Sequence, residues 1–333
     1  MTNLWQSKRL RTWLARLVPL AFYILLVAFL VLYLRSVDFS KLSHLHVNWW
    51  YFVLATVIAL FTRYSGTYTW IIILRTLGAT GLRMNRQLVH VYAKAWMGRY
   101  IPGTAPWILG KIYFASKHGI SKQRLAVGSL LEGGIQVVTL LVFSLALLIF
   151  DKRLDILGDG FKLLMVGVAV VGIVMLTPKV FNRIFALAYR LMRGKTMDDS
   201  SLASNKTIAY GSVLYLLNAC MNGLSLFFIA KGFDPSLSYS NILFVIGAAS
   251  LATAASMIAI FAPSGLGVRE GIQLVLFALI MPKELAVAVT VAMRLWSVGV
   301  DFVFWGVSRA LASKDSPAAA TAPPTPDQKS TVA

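Results

Sequence analysis

Residues 262–271 have the sequence "APSGLGVREG" and separate two long apolar stretches of the chain. One Pro and three Gly in ten residues predict a break in a helix, because Pro removes a backbone donor and Gly favours turns. Arg269 and Glu270 lie in the break, and residues 272–281, "IQLVLFALIM", are apolar again. We therefore expect a helix that is broken in apolar surroundings, with Arg269, Glu270 and freed backbone groups facing a polar cavity.

The composition indicates that these apolar surroundings are a membrane. Of the 333 residues, 58% are hydrophobic and 14% are charged, and the charged residues gather between long apolar runs, unlike on a soluble surface. The runs are long enough to form helices that cross about 30 Å of hydrocarbon. We expect an all-α polytopic membrane protein with helices near 15–35, 49–74, 122–150, 161–178, 207–231, 239–261 and 284–309.

The distribution of Lys and Arg predicts the orientation in the membrane. Most of the net charge of +19 lies beside the predicted helices, which favours the positive-inside rule over binding to nucleic acid. With both termini in the cytoplasm, the number of crossings is even. A broken crossing at 262–281 gives about eight crossings, provided that residues 85–118 enter and leave the membrane on the same side. We expect a membrane domain over residues 1–310 and a disordered cytoplasmic tail over residues 311–333.

A second stretch of the chain resembles the broken helix. Residues 100–113, "YIPGTAPWILGKIY", repeat the order of Pro, Gly and a basic residue that is found in residues 261–274, "FAPSGLGVREGIQL". About thirty residues beyond each Pro, a predicted helix contains a charged residue, Glu132 in the first case and Arg294 in the second. Repeated broken helices are typical of transport proteins, whose helix ends face a site inside the membrane. The predicted repeats are 49–150 and 207–309.

These motifs resemble the transmembrane region of lysylphosphatidylglycerol synthases and its stand-alone, flippase-like relatives. The likeness covers most of residues 10–310 and is most specific at "PSGLGVREG". It implies a membrane domain that carries an aminoacylated lipid across the bilayer, while a separate soluble domain makes that lipid. We expect no soluble domain after residue 314, and hence no synthase activity. The residues that carry the resemblance are Arg99, Pro102, Gly103, "KHGIS" at 117–121, Glu132, Pro263, Gly265, Gly267, Arg269, Glu270 and Gly271.

Five ionisable residues fall within the predicted helices or their breaks: Glu132, Arg269, Glu270, Arg294 and Asp301. A charge at the centre of a membrane helix costs about 2.5–3.5 kcal/mol, so such residues usually face a cavity or an opposite charge. We expect Arg294 to pair with Glu132 or Glu270, and Asp301 to meet a charge on another helix. The alternative is that these are purely structural ion pairs that fix the register of the helices.

Arg269 and the glycines before it predict a phosphate site. Gly lets the backbone approach a ligand closely, the start of the new helix carries partial positive charge, and a guanidinium binds two phosphate oxygens at once. Lys111 occupies a comparable place in the first predicted repeat. The alternative is a helix break in which Arg269 and Glu270 neutralise each other.

Other residues extend the predicted site. Arg63 lies among Tyr, Ser and Thr residues and is expected to line the cavity; alternatively, this helix packs tightly through Ser65 and Gly66. Arg99 and Lys94 are expected at the cytoplasmic rim of the site. The alternative is that they are ordinary positive-inside residues.

The function that we expect is that of a bacterial inner-membrane translocase, or flippase, for a phospholipid or another anionic or headgroup-modified lipid. We expect no enzymatic activity, metal or cofactor, because the sequence contains no P-loop, nucleophile elbow or zinc-protease motif. One alternative is a membrane-embedded transferase that acts on a polyprenyl-phosphate-linked glycan. Another is an accessory protein for a partner lipid synthase or glycosyltransferase. The sequence is also compatible with an oligomer.

Overall fold

A computed structural model of the chain describes residues 35, 47–100, 105–193, 202–259 and 265–312, and within these ranges the regular structure is entirely helical. Three short 3₁₀ segments accompany the α-helices, at 97–100, 152–157 and 239–241. The α-helices are α1 (Trp49–Thr76), α2 (Arg86–Trp96), α3 (Ala105–Ser116), α4 (Lys122–Leu148), α5 (Gly158–Met175), α6 (Pro178–Arg193), α7 (Asn205–Phe233), α8 (Ile242–Ile258), α9 (Val268–Phe277) and α10 (Lys283–Ala312).

Six helical segments in the described ranges are long and apolar enough to cross a membrane. They confirm six of the seven predicted membrane helices, with shifted ends, and the chain is a multi-pass membrane protein. The first predicted helix and the predicted tail lie almost entirely outside the described residues. The membrane segments are Trp49–Thr76, Lys122–Leu148, Lys152–Met175, Asn205–Phe233, Tyr239–Ile258 and Lys283–Ala312.

The third of these segments begins nine residues earlier than the predicted start at 161, at Lys152. The Asp151 side chain accepts a hydrogen bond from the Arg153 amide at 3.0 Å and so starts a 3₁₀ turn that continues into α5. A cap of this kind supplies an acceptor for an amide that would otherwise be unpaired at the helix start. Hydropathy missed the turn because several of its residues are charged.

Small residues allow the membrane helices to pack closely. A Cβ atom on Gly223 of α7 would lie 2.5 Å from the Ile246 Cα atom of α8, so these two backbones are almost in contact. The Ser225 hydroxyl of α7 donates to the Ala55 carbonyl of α1 at 2.7 Å. Close backbone approach and hydrogen bonds between helices are the usual way in which membrane helices associate, since lipid supplies no hydrophobic force between them.

The two predicted irregular stretches are short helices beside breaks. Helices α2 and α3 form an antiparallel hairpin, because Gly98 approaches Pro106 while Gly110 approaches Ala95. The start of α2 and the end of α3 therefore lie at the same end of the hairpin, which is the condition that eight crossings required. Helix α9 has ten residues, about 15 Å of helix, and packs against α8 and α10.

Candidate functional site

The second helix break depends on two glycines. Gly265 and Gly267 have φ angles of +67° and +85°, a region in which residues with a Cβ atom are strained by about 1–2 kcal/mol. A Cβ atom on Gly265 would also lie 2.2 Å from the Ser256 Cβ atom of α8. The sequence "GLG" therefore folds the chain tightly against α8 and points it into α9.

Glu270 occupies the start of α9. Its carboxylate accepts a hydrogen bond from the Gly267 amide at 2.6 Å, and its other oxygen lies 3.2 Å from Nη1 of Arg294 on α10. The predicted pairing of Arg294 with Glu270 is confirmed. Glu270 uses the amide of Gly267, which precedes α9, and the phosphate site at the start of α9 stays a prediction.

Asp301 connects three elements near the middle of the membrane helices. Its carboxylate accepts hydrogen bonds from Nε of Arg63 at 2.7 Å and from the Tyr100 hydroxyl at 2.6 Å. Nη1 of Arg99 lies 3.8 Å away. The Asp301 side chain is only 1% exposed, so these partners replace the water that the carboxylate loses. The prediction that Asp301 meets charges on other helices is confirmed.

Arg269 has a different environment from the other arginines. Within the described ranges, no acceptor lies in hydrogen-bonding or ion-pair range of its guanidinium. Its charge nevertheless interacts with Glu270 and with Arg63, Arg99 and Arg294. Glu270 therefore bonds to Arg294 and not to Arg269, although its charge still attracts that of Arg269.

We call this group of residues the Arg cluster. It contains four guanidinium groups and two carboxylates, and so has a formal excess of two positive charges. Guanidinium groups bind phosphate and carboxylate oxygens in pairs, so an anion is the ligand that this surplus favours. The members are Arg63, Arg99, Arg269, Glu270, Arg294 and Asp301.

A narrow crevice, with no space for a water molecule, lies at one side of the Arg cluster and is lined by Arg269, Glu270, Gln273, Met293, Arg294 and Ser297. Gln273 is only 2% exposed, and its amide nitrogen has no hydrogen-bond partner among the described residues. A buried donor without an acceptor is costly and needs an explanation. The side chains around the crevice would have to move apart for an anionic group to accept from Gln273 and Arg269 together.

Lys111 and Glu132 form a second charged site. Nζ of Lys111 donates to Oε2 of Glu132 at 2.5 Å, and Lys111 is completely buried. The expected equivalence of Lys111 and Arg269 as phosphate ligands is therefore corrected, because Glu132 neutralises Lys111. Glu132 is also not the partner of Arg294, which the sequence had left open.

Aromatic rings surround the Lys111 ammonium on three sides. Nζ lies 4.0 Å from the ring centre of Trp107, 4.7 Å from that of Tyr92 and 5.8 Å from that of Trp70. These distances are in the range of attraction between a cation and the face of an aromatic ring. We call Trp70, Tyr92, Trp107 and Glu132 the ammonium cage.

Trp96 connects the ammonium cage to the Arg cluster. Its ring centre lies 4.5 Å from Cζ of Arg99 and 5.5 Å from Cζ of Arg63. On the other side, it lies 5.9 Å from the ring of Tyr92 and 6.0 Å from the ring of Trp107. The two charged sites therefore share one aromatic wall.

The comparison with protein families assigns the chain. Residues 16–304 match the family described as "Lysylphosphatidylglycerol synthase TM region". The chain belongs to this family. The resemblance that the sequence motifs indicated is thus confirmed, and the protein is a membrane domain of a lipid-related family. No curated protein matches the chain in a separate sequence comparison.

In this member of the family, most of the predicted site residues lie in the two charged sites. Arg63, Arg99, Arg269, Glu270, Arg294 and Asp301 meet in the Arg cluster, and Lys111 and Glu132 meet at the ammonium cage. Gly265 and Gly267 shape the break before α9. Three predicted site residues lie outside the described residues: Pro102, Gly103 and Pro263.

The structure gives two of the predicted arginines a common partner. The Arg63 side chain is 12% exposed and bonded to Asp301. Arg99 lies 3.8 Å from the same carboxylate and so belongs to the Arg cluster. Lys94, by contrast, is exposed, as expected of a positive-inside residue.

Sequence reasoning missed Tyr100 and Gln273 as members of the charged site. Tyr100 stands directly before the first break, and a Tyr beside a charged residue at a helix break is a signal for a buried hydrogen bond. Gln273 lies in the apolar run after the second break, where a lone amide needs a partner. Both signals were visible in the sequence.

Proposed function

We propose that this protein is a translocase that moves a phospholipid, or another anionic or headgroup-modified lipid, between the leaflets of a bacterial inner membrane. The observation that carries the proposal is the excess of positive charge in the Arg cluster. Among the described residues, four guanidinium groups lie around two carboxylates there. An excess of positive charge is costly inside a membrane, and a phosphate headgroup would balance it.

The depth of the Arg cluster supports movement across the membrane. Arg63 is fourteen residues from the start of the 28-residue helix α1, about 21 Å along the helix axis. Asp301 is likewise far from both ends of α10. A lipid that stays in one leaflet keeps its phosphate at the membrane surface, so a phosphate site near the middle favours a pathway between leaflets.

The helix breaks support the same proposal. Tyr100 and Arg99 stand at the end of the 3₁₀ turn before the first break, and Arg269 stands directly after the second. Discontinuous helices that meet at mid-membrane charges are the usual construction of binding sites in transporters. Charged pairs between such elements are suited to act as gates, because they can separate when a ligand competes for one partner.

The described carboxylates favour transport over a transferase reaction. Glu132, Glu270 and Asp301 each have a cationic partner, at 2.5, 3.2 and 2.7 Å. A general base must be free to take a proton from the reacting group. We therefore include no catalytic step in the proposed function, and we place both termini in the cytoplasm on the basis of the positive-inside rule.

The proposal is tested by leaflet exchange in vesicles that contain the purified protein. The lipids are fluorescent phosphatidylglycerol, lysyl-phosphatidylglycerol and a polyprenyl phosphate, and a membrane-impermeant reductant reports the label in the outer leaflet. We expect exchange of at least one phosphate-containing lipid by the wild-type protein, and its loss in Arg269→Ala and Arg294→Ala. Exchange no faster than in empty vesicles for every lipid would reject the proposal.

A further inference from the structure

The ammonium cage is an unusual environment for a lysine. Lys111 is completely buried, whereas lysine side chains normally extend their ammonium groups into water. The three rings come from three different helices: Trp70 from α1, Tyr92 from α2 and Trp107 from α3. Glu132 of α4 completes the enclosure, so four elements of the membrane domain converge on one ammonium group.

Such an enclosure has the composition of a ligand site. Aromatic faces with a nearby carboxylate are the arrangement by which proteins recognise alkylammonium ligands, since the ring faces are electron-rich and tolerate a desolvated cation. A purely structural ion pair needs only Glu132 and Lys111. The three rings add recognition of the cation that an ion pair does not require.

Unpaired donors around the site point to a ligand that brings oxygen atoms. The indole N–H groups of Trp70 and Trp96 are buried and have no hydrogen-bond acceptor among the described residues. Trp96 also contacts Arg99 of the Arg cluster. Ester or phosphate oxygens next to an ammonium group would satisfy these donors while the ammonium lies in the cage.

We propose that the ammonium cage is a binding site for the alkylammonium group of a lipid headgroup, and that Lys111 is a tethered occupant which the headgroup displaces from Glu132. This inference rests on the proposed lipid translocase. Because Trp96 contacts both the Arg cluster and two rings of the cage, one lipid would place its phosphate in the cluster and its ammonium in the cage. Lys111 keeps the cage filled and Glu132 paired between substrates.

The first test replaces the tethered occupant by a free one. Lys111→Ala removes the side chain beyond Cβ, and n-propylammonium chloride supplies the missing atoms in solution. We expect propylammonium to change the tryptophan fluorescence of Lys111→Ala in detergent, with a Kd at least about tenfold lower than in the wild type. Adding Glu132→Gln to Lys111→Ala should abolish this binding.

Two control variants make this test specific. Lys111→Met fills the cage with an uncharged chain and should bind no propylammonium. Lys231→Ala removes another buried lysine, whose ammonium lies 4.4 Å from the Tyr239 ring but bonds to the carbonyls of Pro235 and Leu237. Propylammonium binding to Lys231→Ala equal to that of Lys111→Ala, or none to folded Lys111→Ala, would overturn the inference.

A second variant covers the case in which Lys111→Ala does not fold. Trp107→Phe keeps an aromatic face toward the ammonium, whereas Trp107→Leu removes it. We expect Trp107→Leu to lower the exchange rate of phosphatidylethanolamine relative to phosphatidylglycerol by about tenfold, and Trp107→Phe to keep the ratio of the wild type. Equal ratios in both variants would contradict the cage.

The tests separate the two proposals from each other. Propylammonium binding is measured in detergent and needs no transport, so it can succeed even if the wild-type protein moves no lipid. Conversely, exchange of phosphatidylglycerol by a protein whose Lys111→Ala variant is folded but binds no propylammonium would keep the translocase and remove the ammonium site.

Discussion

Replacing Arg269 by Ala should remove function without loss of stability. The guanidinium of Arg269 has no hydrogen-bond acceptor or ion-pair partner in the described part of the chain, and its charge lies among those of Arg63, Arg99 and Arg294. Its removal therefore leaves no partner unpaired among the described residues and relieves repulsion. The cost of about 2.5–3.5 kcal/mol for a central membrane charge disappears as well.

Binding of an anionic headgroup should weaken strongly in the same variant. A hydrogen bond to a charged group contributes about 1.5–3 kcal/mol, which corresponds to about a 10- to 100-fold increase in Kd. Arg269→Lys keeps the charge but loses the planar fork, so we expect an intermediate value. The measurements are the thermal unfolding temperature in detergent and the rate of phosphatidylglycerol exchange in vesicles.

Asp301→Asn is the matched control for stability. Asp301 accepts from Arg63 and Tyr100 and lies near Arg99, so its replacement leaves buried cations without their counter-ion. Removing one partner of a buried ion pair costs about 3–5 kcal/mol. If Arg269→Ala unfolds as early as Asp301→Asn while it exchanges lipid at the wild-type rate, Arg269 is a structural residue and the argument fails.

Three further predictions concern packing and buried charge, and thermal unfolding tests each of them. Glu132→Gln should lower the free energy of unfolding by about 3–5 kcal/mol, because it leaves the buried Lys111 ammonium without its counter-ion. Adding Lys111→Met to Glu132→Gln should restore most of this loss. A double variant as unstable as the single one would contradict the prediction. Gly265→Ala should lower the free energy of unfolding by at least about 2 kcal/mol, because of its positive φ angle and its close contact with Ser256. Adding Ser256→Gly should recover only the part of this loss that the close contact causes. Gly223→Ala should lower the free energy of unfolding by about 1–3 kcal/mol, because the added methyl group meets Ile246. Gly133→Ala should be neutral, because Gly133 has open space around it. Equal losses in the two variants would refute the close packing of α7 and α8.

The membrane helices were predictable because their signal is local. A run of apolar residues of the right length fixes a membrane helix whatever its neighbours are. The break at 262–271 was predictable for the same reason, since Gly265 and Gly267 adopt positive φ angles that few other residues allow. The 3₁₀ turn at 152–157 was missed because the hydrogen bonds of a helix cap, and not hydropathy, determine where that segment begins.

The pairing of charges was predictable only in part. The sequence limited the partners of Arg294 to Glu132 or Glu270, and the choice between them depended on which helices lie side by side. The ammonium cage could not be predicted, because Trp70, Tyr92 and Trp107 come from three helices whose relative rotation no local pattern specifies. The one local signal of that site was Trp107, which lies in the Pro- and Gly-containing stretch 100–113 and in the first turn of α3.

The most direct test of the proposed translocase is the fraction of fluorescent phosphatidylglycerol that a membrane-impermeant reductant reaches in closed vesicles containing the wild-type protein. Label is placed in both leaflets, and sealed vesicles without protein define the outer-leaflet fraction. We predict that the reductant destroys nearly all the fluorescence when the protein is present, and that Arg269→Ala loses only the outer-leaflet fraction in the time that the wild type needs for complete loss. Loss of only the outer-leaflet fraction by the folded wild-type protein, for phosphatidylglycerol and the other phosphate-containing lipids alike, would contradict the account.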